Sequence, residues 1–415
     1  MKRIRLYLLA PTLFVLILAV SALAAASERI IFAFPADGAG GNSPNGGLIS
    51  DAAGNLYGVT ASGGAYQGGA VFKLSLENGA WTETVLYNFR GGLSHDGAGP
   101  ASALLLDKAG NLYGTTAGGG ASNNGTVFKL APDGRGGWTE TILHAFNGND
   151  GSLPNLAPLV EDKGGNLYGV TQGFCYRGTC ENGTVFELSP ESNGDWKFTV
   201  LHSFGHTGLP ESGVIFDKAG NLYGTTVFGG PQNCLVPGTG CGTVFKLTRV
   251  ANSWKFANIH LFNYENGAYP MGALIFDSAG NLYGATNGGG GTHNGGVAFK
   301  LSPTKTGWTE TVLHVFGAPG DGFDPSSLVF DGAGHLFGSV PSSSSSSGAA
   351  QNGFVFKLSR QSNGTWSEKI LYAFPQTSFA PYPNSSLIWN SSRTALIGTT
   401  GPYSDPSGAV YEVTP

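Results

Sequence analysis

Apolar residues in this chain come in short runs of five to nine, four runs to a unit, and the unit recurs about every 55 residues. The second unit shows the order clearly: Ala103–Asp107, Asn111–Thr116, Thr126–Leu130 and Trp138–Phe146. The runs are rich in Val, Leu, Phe, Tyr and Thr and are bounded by Gly, Asn, Asp and Pro, which is how short strands read. No long window carries a helical period. The clearest marker is Gly-Asn-Leu-Tyr-Gly at Gly54–Gly58, Gly110–Gly114, Gly165–Gly169, Gly220–Gly224 and Gly280–Gly284. A worn copy stands at Gly334–Gly338 and a more degraded one at Ala395–Gly398, which makes seven units in one array.

The first two runs of a unit are joined by Asp-x-x-Gly-Asn, as at Asp107–Asn111 and Asp217–Asn221. Asp accepts backbone N–H bonds at the start of such a turn and Gly supplies positive φ at its end, so a tight antiparallel hairpin is expected. A parallel β-helix has no place for it. Four antiparallel strands repeated seven times predict an all-β protein, a seven-bladed β-propeller. The strands are called A to D from the axis outwards.

The D strand carries Trp at 81, 138, 196, 254, 308 and 366, each eight residues before Phe89, Phe146, Phe204, Phe262, Phe316 and Phe374. The seventh unit lacks this strand at the C-terminus, where the sequence ends after strand C, Ala409–Val413. A matching segment, Arg29–Phe34, lies at the other end. The expectation is a ring closed by the N-terminal strand completing the C-terminal blade, which removes a free sheet edge. Residues 27–415 then form one domain, with 27–34 the outer strand of blade 7. Blades 1 to 6 fall at about 46–89, 100–146, 155–204, 210–262, 270–316 and 325–374, and strands A to C of blade 7 at 383–415.

Composition fits a fold whose strands are covered on both faces. Charged residues are only 12% of the chain, well below the usual quarter, and the 67 glycines cluster in turns. Residues 1–26 read as a secretory signal peptide: Lys2, Arg3 and Arg5, an apolar stretch, and small-residue cleavage sites at Ala24 and Ala26. The charge-free run from Leu6 to Ser27 could also span a bilayer as an anchor, but those sites and the adjacent strand favour removal. No Cys at the junction suggests a lipid anchor, and no apolar tail follows Pro415. Loss of the three basic residues leaves 19 Lys and Arg against 27 Asp and Glu, a net charge of −8. An exported, extracellular, periplasmic or cell-surface monomer is expected, with no membrane span in the mature chain and no basic stripe for nucleic acid.

Cys175 with Cys180 and Cys234 with Cys241 lie in the B–C loops of successive blades, and local disulfides are the natural pairing in an exported protein. Cross-pairing between the two blades is the open alternative.

The set Gly-Asn-Leu-Tyr-Gly-Thr-Thr (Gly110–Thr116), Gly118-Gly119, Gly-Thr-Val-Phe-Lys-Leu (Gly125–Leu130) and Trp138–Phe146 resembles the bacterial GloVer (Gloeo-Verruco) tandem repeat across essentially the whole mature chain. The resemblance implies an exported bacterial protein of a family that often carries C-terminal sorting anchors; this chain shows none. The A and B strands are also similar to NHL-type propellers, which implies a binding scaffold, with lyases and hydrolases among the relatives.

Function is expected on the face that carries the long, variable D–A and B–C loops. Tyr66, Phe174, Tyr176, Phe228, Tyr264, Tyr269, Phe323, Tyr382 and Tyr403 lie in those loops and suit stacking on sugar rings or holding a peptide; the alternative is that each packs its own loop. Asp96, Asp150 and Asp321 open a repeated Asp-Gly-x-x-Pro, with Asn266 as a variant. They are either turn-formers or a partial carboxylate ring for Ca²⁺ at the channel mouth. His144, His202, His260 and His314 share one strand-D position with Tyr87, Tyr372 and Phe32, and on separate blades they read as structural. His95, His206 and His293 lie in loops without a partner motif, and no nucleophile, zinc or phosphate-loop motif is present. The resulting reading is an exported propeller that binds an extracellular glycan or a protein surface. The alternatives are a polysaccharide lyase or hydrolase and a structural cell-envelope module.

Overall fold

Seven antiparallel sheets, six of four strands and the ring-closing one of five, follow one another along the chain in the computed structural model, one per repeat. It describes residues 27–91, 96–154, 157–176, 179–181, 183–205, 208–231, 234, 238–251, 253–344, 350–375, 382–383, 385–401 and 408–415. The signal-peptide segment, His95, His206 and Tyr403 therefore lie outside the described residues. Blade 4 is representative: strand A Val214–Phe216, B Leu222–Thr226, C Thr243–Val250 and D Ser253–Leu261, hydrogen-bonded in that order.

The hairpin chemistry read from the sequence is present. Asp217 Oδ1 accepts from the backbone of Ala219 and Asn221, each at 2.9 Å, while Oδ2 accepts from the Asn221 amide at 2.7 Å and the Tyr223 hydroxyl at 3.1 Å. Burial alone would raise the Asp217 carboxyl, but these bonds outweigh it and hold it below the usual range. Gly220 sits at φ 82°, where a side chain would be strained. The worn blade 6 turn keeps the scheme with His335 in place of Asn, its backbone N–H donating to Asp331 Oδ1 at 2.9 Å.

The ring closes as expected. Ser27–Ala33 pairs antiparallel with Ala409–Thr414, from Ser27 opposite Thr414 to Ala33 opposite Ala409. Its ladder shifts register between Ile30 and Phe32, and all six other C–D ladders shift at the equivalent place, for example between Val127 and Phe128. A bulge re-aims the side chains that follow it. Here it turns the strand-D His or Tyr and the Phe two residues later towards the next blade.

Those Phe residues hold neighbouring blades together. Phe34, Phe89, Phe146, Phe204, Phe262, Phe316 and Phe374 each meet an aromatic ring on strand C of the following blade, at centroid distances from 5.0 to 5.4 Å. The partners are Phe72, Phe128, Phe186, Phe245, Phe299, Phe356 and Tyr411, all fully buried. Each pair adds about 0.5–1.5 kcal/mol beyond the area it buries. The core is thus a chain of interblade layers around the ring, and the N-terminal strand supplies one of them.

Candidate functional site

Two places gather polar side chains: the seams between outer strands, and the axial cavity. At four seams the strand-D His of one blade meets the second residue after Trp on the next blade's D strand. His144 stacks on Phe198 at 3.8 Å and His202 on Phe256 at 3.8 Å. His260 Nε2 lies 3.2 Å from Glu310 Oε2, and His314 Nε2 4.0 Å from Glu368 Oε2. The histidines do not converge on one another, as the sequence indicated, but each is engaged across a seam.

The Asp-Gly-x-x-Pro acids join these seams rather than the channel mouth. Asp96 Oδ2 accepts from the Tyr87 hydroxyl at 3.1 Å and the Arg90 N–H at 2.8 Å. Asp150 Oδ2 lies 3.1 Å from His144 Nε2, and Asp321 meets His314 Nε2 at 3.0 Å. Asn266 donates to Glu310 at 2.6 Å. Asp96, Asp150 and Asp321, the acids of the alternative Ca²⁺-ring reading, are each drawn to the Tyr or His of their own blade and sit on separate seams.

Seam carboxylates pay a desolvation cost that shows in their protonation. Burial pushes Glu83 up to about 7, and burial together with the Asp96 charge does the same to Glu140. A folded-state pKa above the ordinary 4.5 stabilises the fold below about pH 4.5, and that stability is lost as pH rises through about 7. The wild-type melting temperature should therefore fall between pH 5 and 8. Glu83→Gln/Glu140→Gln should flatten that fall and melt higher than wild type at pH 8. Parallel melting curves for the two proteins would refute the assignment.

Burial and the neighbouring Asp321 carboxylate push Glu368 higher, up to about 9.

Three of the loop aromatics pack against neighbouring elements. Phe228 meets Tyr269 edge-to-face at 6.0 Å beside Leu209 and Val227, and Tyr264 and Tyr269 lie against the blade 4–5 core. Phe323 and Tyr382 are half-buried. Tyr66 is 53% exposed, with the Arg90 guanidinium 5.0 Å from its ring centroid. Phe174 and Tyr176 occupy a short strand opposite Glu181 and Thr179. Cys234 and Cys241 form a disulfide with Cα atoms 5.3 Å apart, and Cys175 faces Cys180 in register. His293 is exposed on a short 3-10 turn, Gly291–His293.

The axial cavity, about 300 Å³, is built where strand A begins, and all seven blades contribute to it. Asn45, Ala101, Glu211, Met271 and Ser326 line it, each following a repeated proline: Pro44, Pro100, Pro210, Pro270 and Pro325. The sequence reading passed over these residues because their types differ from blade to blade; the constant proline was the usable signal. Glu211 is only 6% exposed; its Oε1 accepts from the Gln172 side-chain amide, and its Oε2 is buried with no hydrogen-bond partner among the described residues. Burial holds its carboxyl above the usual range despite the Gln172 bond. Asp324 stands open to the cavity at φ 60°, and the crowding walls raise its carboxyl too. A second cavity of about 560 Å³ opens on the opposite face between blades 4 and 5. Its Tyr223, Asp217, Lys246 and Trp308 are engaged with one another, Tyr223 at the centre of the set.

These features define a seven-bladed β-propeller with a cavity of mixed polar and apolar lining at one end of its axis. The chain belongs to the Gloeobacter/Verrucomicrobia repeat family, whose model matches residues 19–237 and 139–347. A disulfide and this family fit an exported protein, and no helix among the described residues is long and apolar enough to cross a membrane. No curated protein matches the chain. Among solved structures it is similar to a Bacteroides uniformis protein assigned as a 6-phosphogluconolactonase, at 11% identity, 86% of this chain, 95% of that one and TM-score 0.53. It is also similar to an ancestral GH74 enzyme, at 11% identity, 90% of this chain, 48% of that one and TM-score 0.57. A third is the extracellular domain of a B. thetaiotaomicron protein assigned as a one-component system, at 11% identity, 93% of this chain, 42% of that one and TM-score 0.52. At such identities the likeness concerns the fold.

Proposed function

We propose that this chain is an exported ligand-binding propeller that seats a hydroxyl-rich ligand, the end of an extracellular glycan, in the axial cavity. The observation that carries it is Glu211: its carboxyl stands in the cavity wall, Gln172 satisfies one oxygen, and the other has no partner among the described residues, which leaves an acceptor for a ligand hydroxyl. A cavity of about 300 Å³ suits one or two sugar units at the small end of ligand sites. Recognition there rests on hydrogen bonds rather than on the aromatic stacking that the sequence suggested. A carboxyl raised by burial also suits a general acid, so any glycan that binds is to be assayed for turnover.

A thermal-shift panel of mono- and oligosaccharides tests the reading. A ligand at 100 times its Kd should stabilise the protein by about 2.7 kcal/mol. Glu211→Ala should remove most of that shift. No shift with any sugar in a well-folded chain, or a shift that Glu211→Ala and Asp324→Asn leave intact, would overturn it.

A further inference from the structure

At the seam between blades 5 and 6, three side chains of metal-ligating type converge outside the axial cavity. His314 comes from strand D of blade 5 (Trp308–Val315), Asp321 from the loop that follows, and Glu368 from strand D of blade 6 (Trp366–Ala373). His314 Nε2 lies 3.0 and 3.2 Å from the two Asp321 oxygens and 4.0 Å from Glu368 Oε2, and one donor atom from each residue lies within 4.8 Å of the others. A tetrahedral ion with bonds of about 2.0–2.1 Å has donor–donor edges of about 3.3–3.4 Å, inside this range. The side chains are 20%, 13% and 13% exposed, so the group is largely desolvated yet open on one side. Glu368 Oε1 is buried with no hydrogen-bond partner among the described residues.

The other seams act as internal comparisons. Between blades 2 and 3, His144 and Asp150 are present, but Phe198 stacks where Glu368 would stand. Between blades 4 and 5, His260 and Glu310 are present, but Asn266 replaces the loop acid and donates to Glu310. Among the described residues this is the single place where three such groups meet.

We propose that His314, Asp321 and Glu368 form a divalent transition-metal site, of the Zn²⁺ class, that ties blade 5 to blade 6. One imidazole and two carboxylates favour such an ion over Ca²⁺, which takes six to eight oxygens. Three protein ligands leave a fourth position for water. The site shares no residue with the axial cavity, so it stands or falls separately from the glycan reading.

The test is calorimetric titration of Zn²⁺ into the untagged, chelator-treated chain, with Co²⁺ absorption as the second readout. One equivalent should bind, the Co²⁺ spectrum should show the intense bands of four-coordinate geometry, and the melting temperature should rise with Zn²⁺. Glu368→Phe reproduces the Phe198 arrangement that the fold already accepts, and His314→Phe the Phe32 one. Each should weaken binding at least 100-fold while the metal-free protein still melts cooperatively. No binding by the wild type, or equal binding by both variants, overturns the site.

Discussion

Deleting Ser27–Phe34 should leave a chain that no longer unfolds in one transition at the wild-type temperature. The segment contributes the whole D strand of blade 7, paired with Thr414 through Ala409, and the Arg29–Glu412 ion pair at 2.8 Å. It also contributes Phe34, 3% exposed, whose ring meets Phe72 of blade 1 at 5.0 Å within a cluster that includes Leu48, Leu56, Ile397 and Val410. Truncating a buried Phe costs about 3–5 kcal/mol by itself. Adding the lost ladder and the newly bared edge takes the total into the range of a whole domain's stability, about 5–15 kcal/mol. The exposed ion pair adds little. Phe34→Ala is the graded version: it should lose about 3–4 kcal/mol in urea unfolding with an unchanged slope. A peptide of residues 27–34 added to the deleted chain should recover part of the lost melting temperature. A truncated protein that melts like its parent would end the closure argument.

That closure was legible because strand D has a signature of its own, and a copy of it stands at the wrong end of the sequence. The Asp-x-x-Gly-Asn hairpins were legible because their chemistry is local: one Asp satisfies donors two to six residues away. What the sequence hid is what depends on neighbouring units. The partner of His314 is one blade on, 54 residues downstream at Glu368, and only the ring geometry sets that register. The Asp-Gly-x-x-Pro acids read locally as turn-formers or as ligands of a channel-mouth ion, whereas in the fold each serves the His or Tyr upstream. One hint was available: Phe replaces Glu after Trp196 and Trp254, the two blades whose preceding histidine stacks. Glu211 escaped notice because a lone Glu after Pro210 carries no motif. Its meaning comes from the cavity that the non-identical residues Asn45, Ala101, Glu211, Met271 and Ser326 help to build together.

Gly284→Ala should destabilise the protein by about 2–3 kcal/mol although Ala is ordinarily the more stable choice in regular structure. Gly284 is the second glycine of its Gly-Asn-Leu-Tyr-Gly and sits directly opposite Phe299 in the B–C ladder. Its φ is not among the positive ones, so backbone freedom is not why glycine stands there. The reason is space: an added Cβ would lie 2.7 Å from Phe299 Cζ and 2.9 Å from Leu274 Cδ2. Phe299 cannot yield, because its ring also meets Phe262 of the preceding blade at 5.2 Å. The same conflict recurs in every blade, as at Gly169 with Phe186, where the distance is 2.5 Å. Gly280, the first glycine of the motif, separates the two causes: nothing lies within 4 Å of its Cβ position, but its φ is 85°. Gly280→Ala should therefore cost only the left-handed penalty, about 1–2 kcal/mol. Phe299→Leu should relieve part of the Gly284→Ala damage, so that the double variant is more stable than the sum of the single effects by at least about 0.5 kcal/mol. Urea midpoints for the four variants decide it. Strict additivity, or a Gly284→Ala protein as stable as wild type, would show that the glycine is not kept for the ring above it.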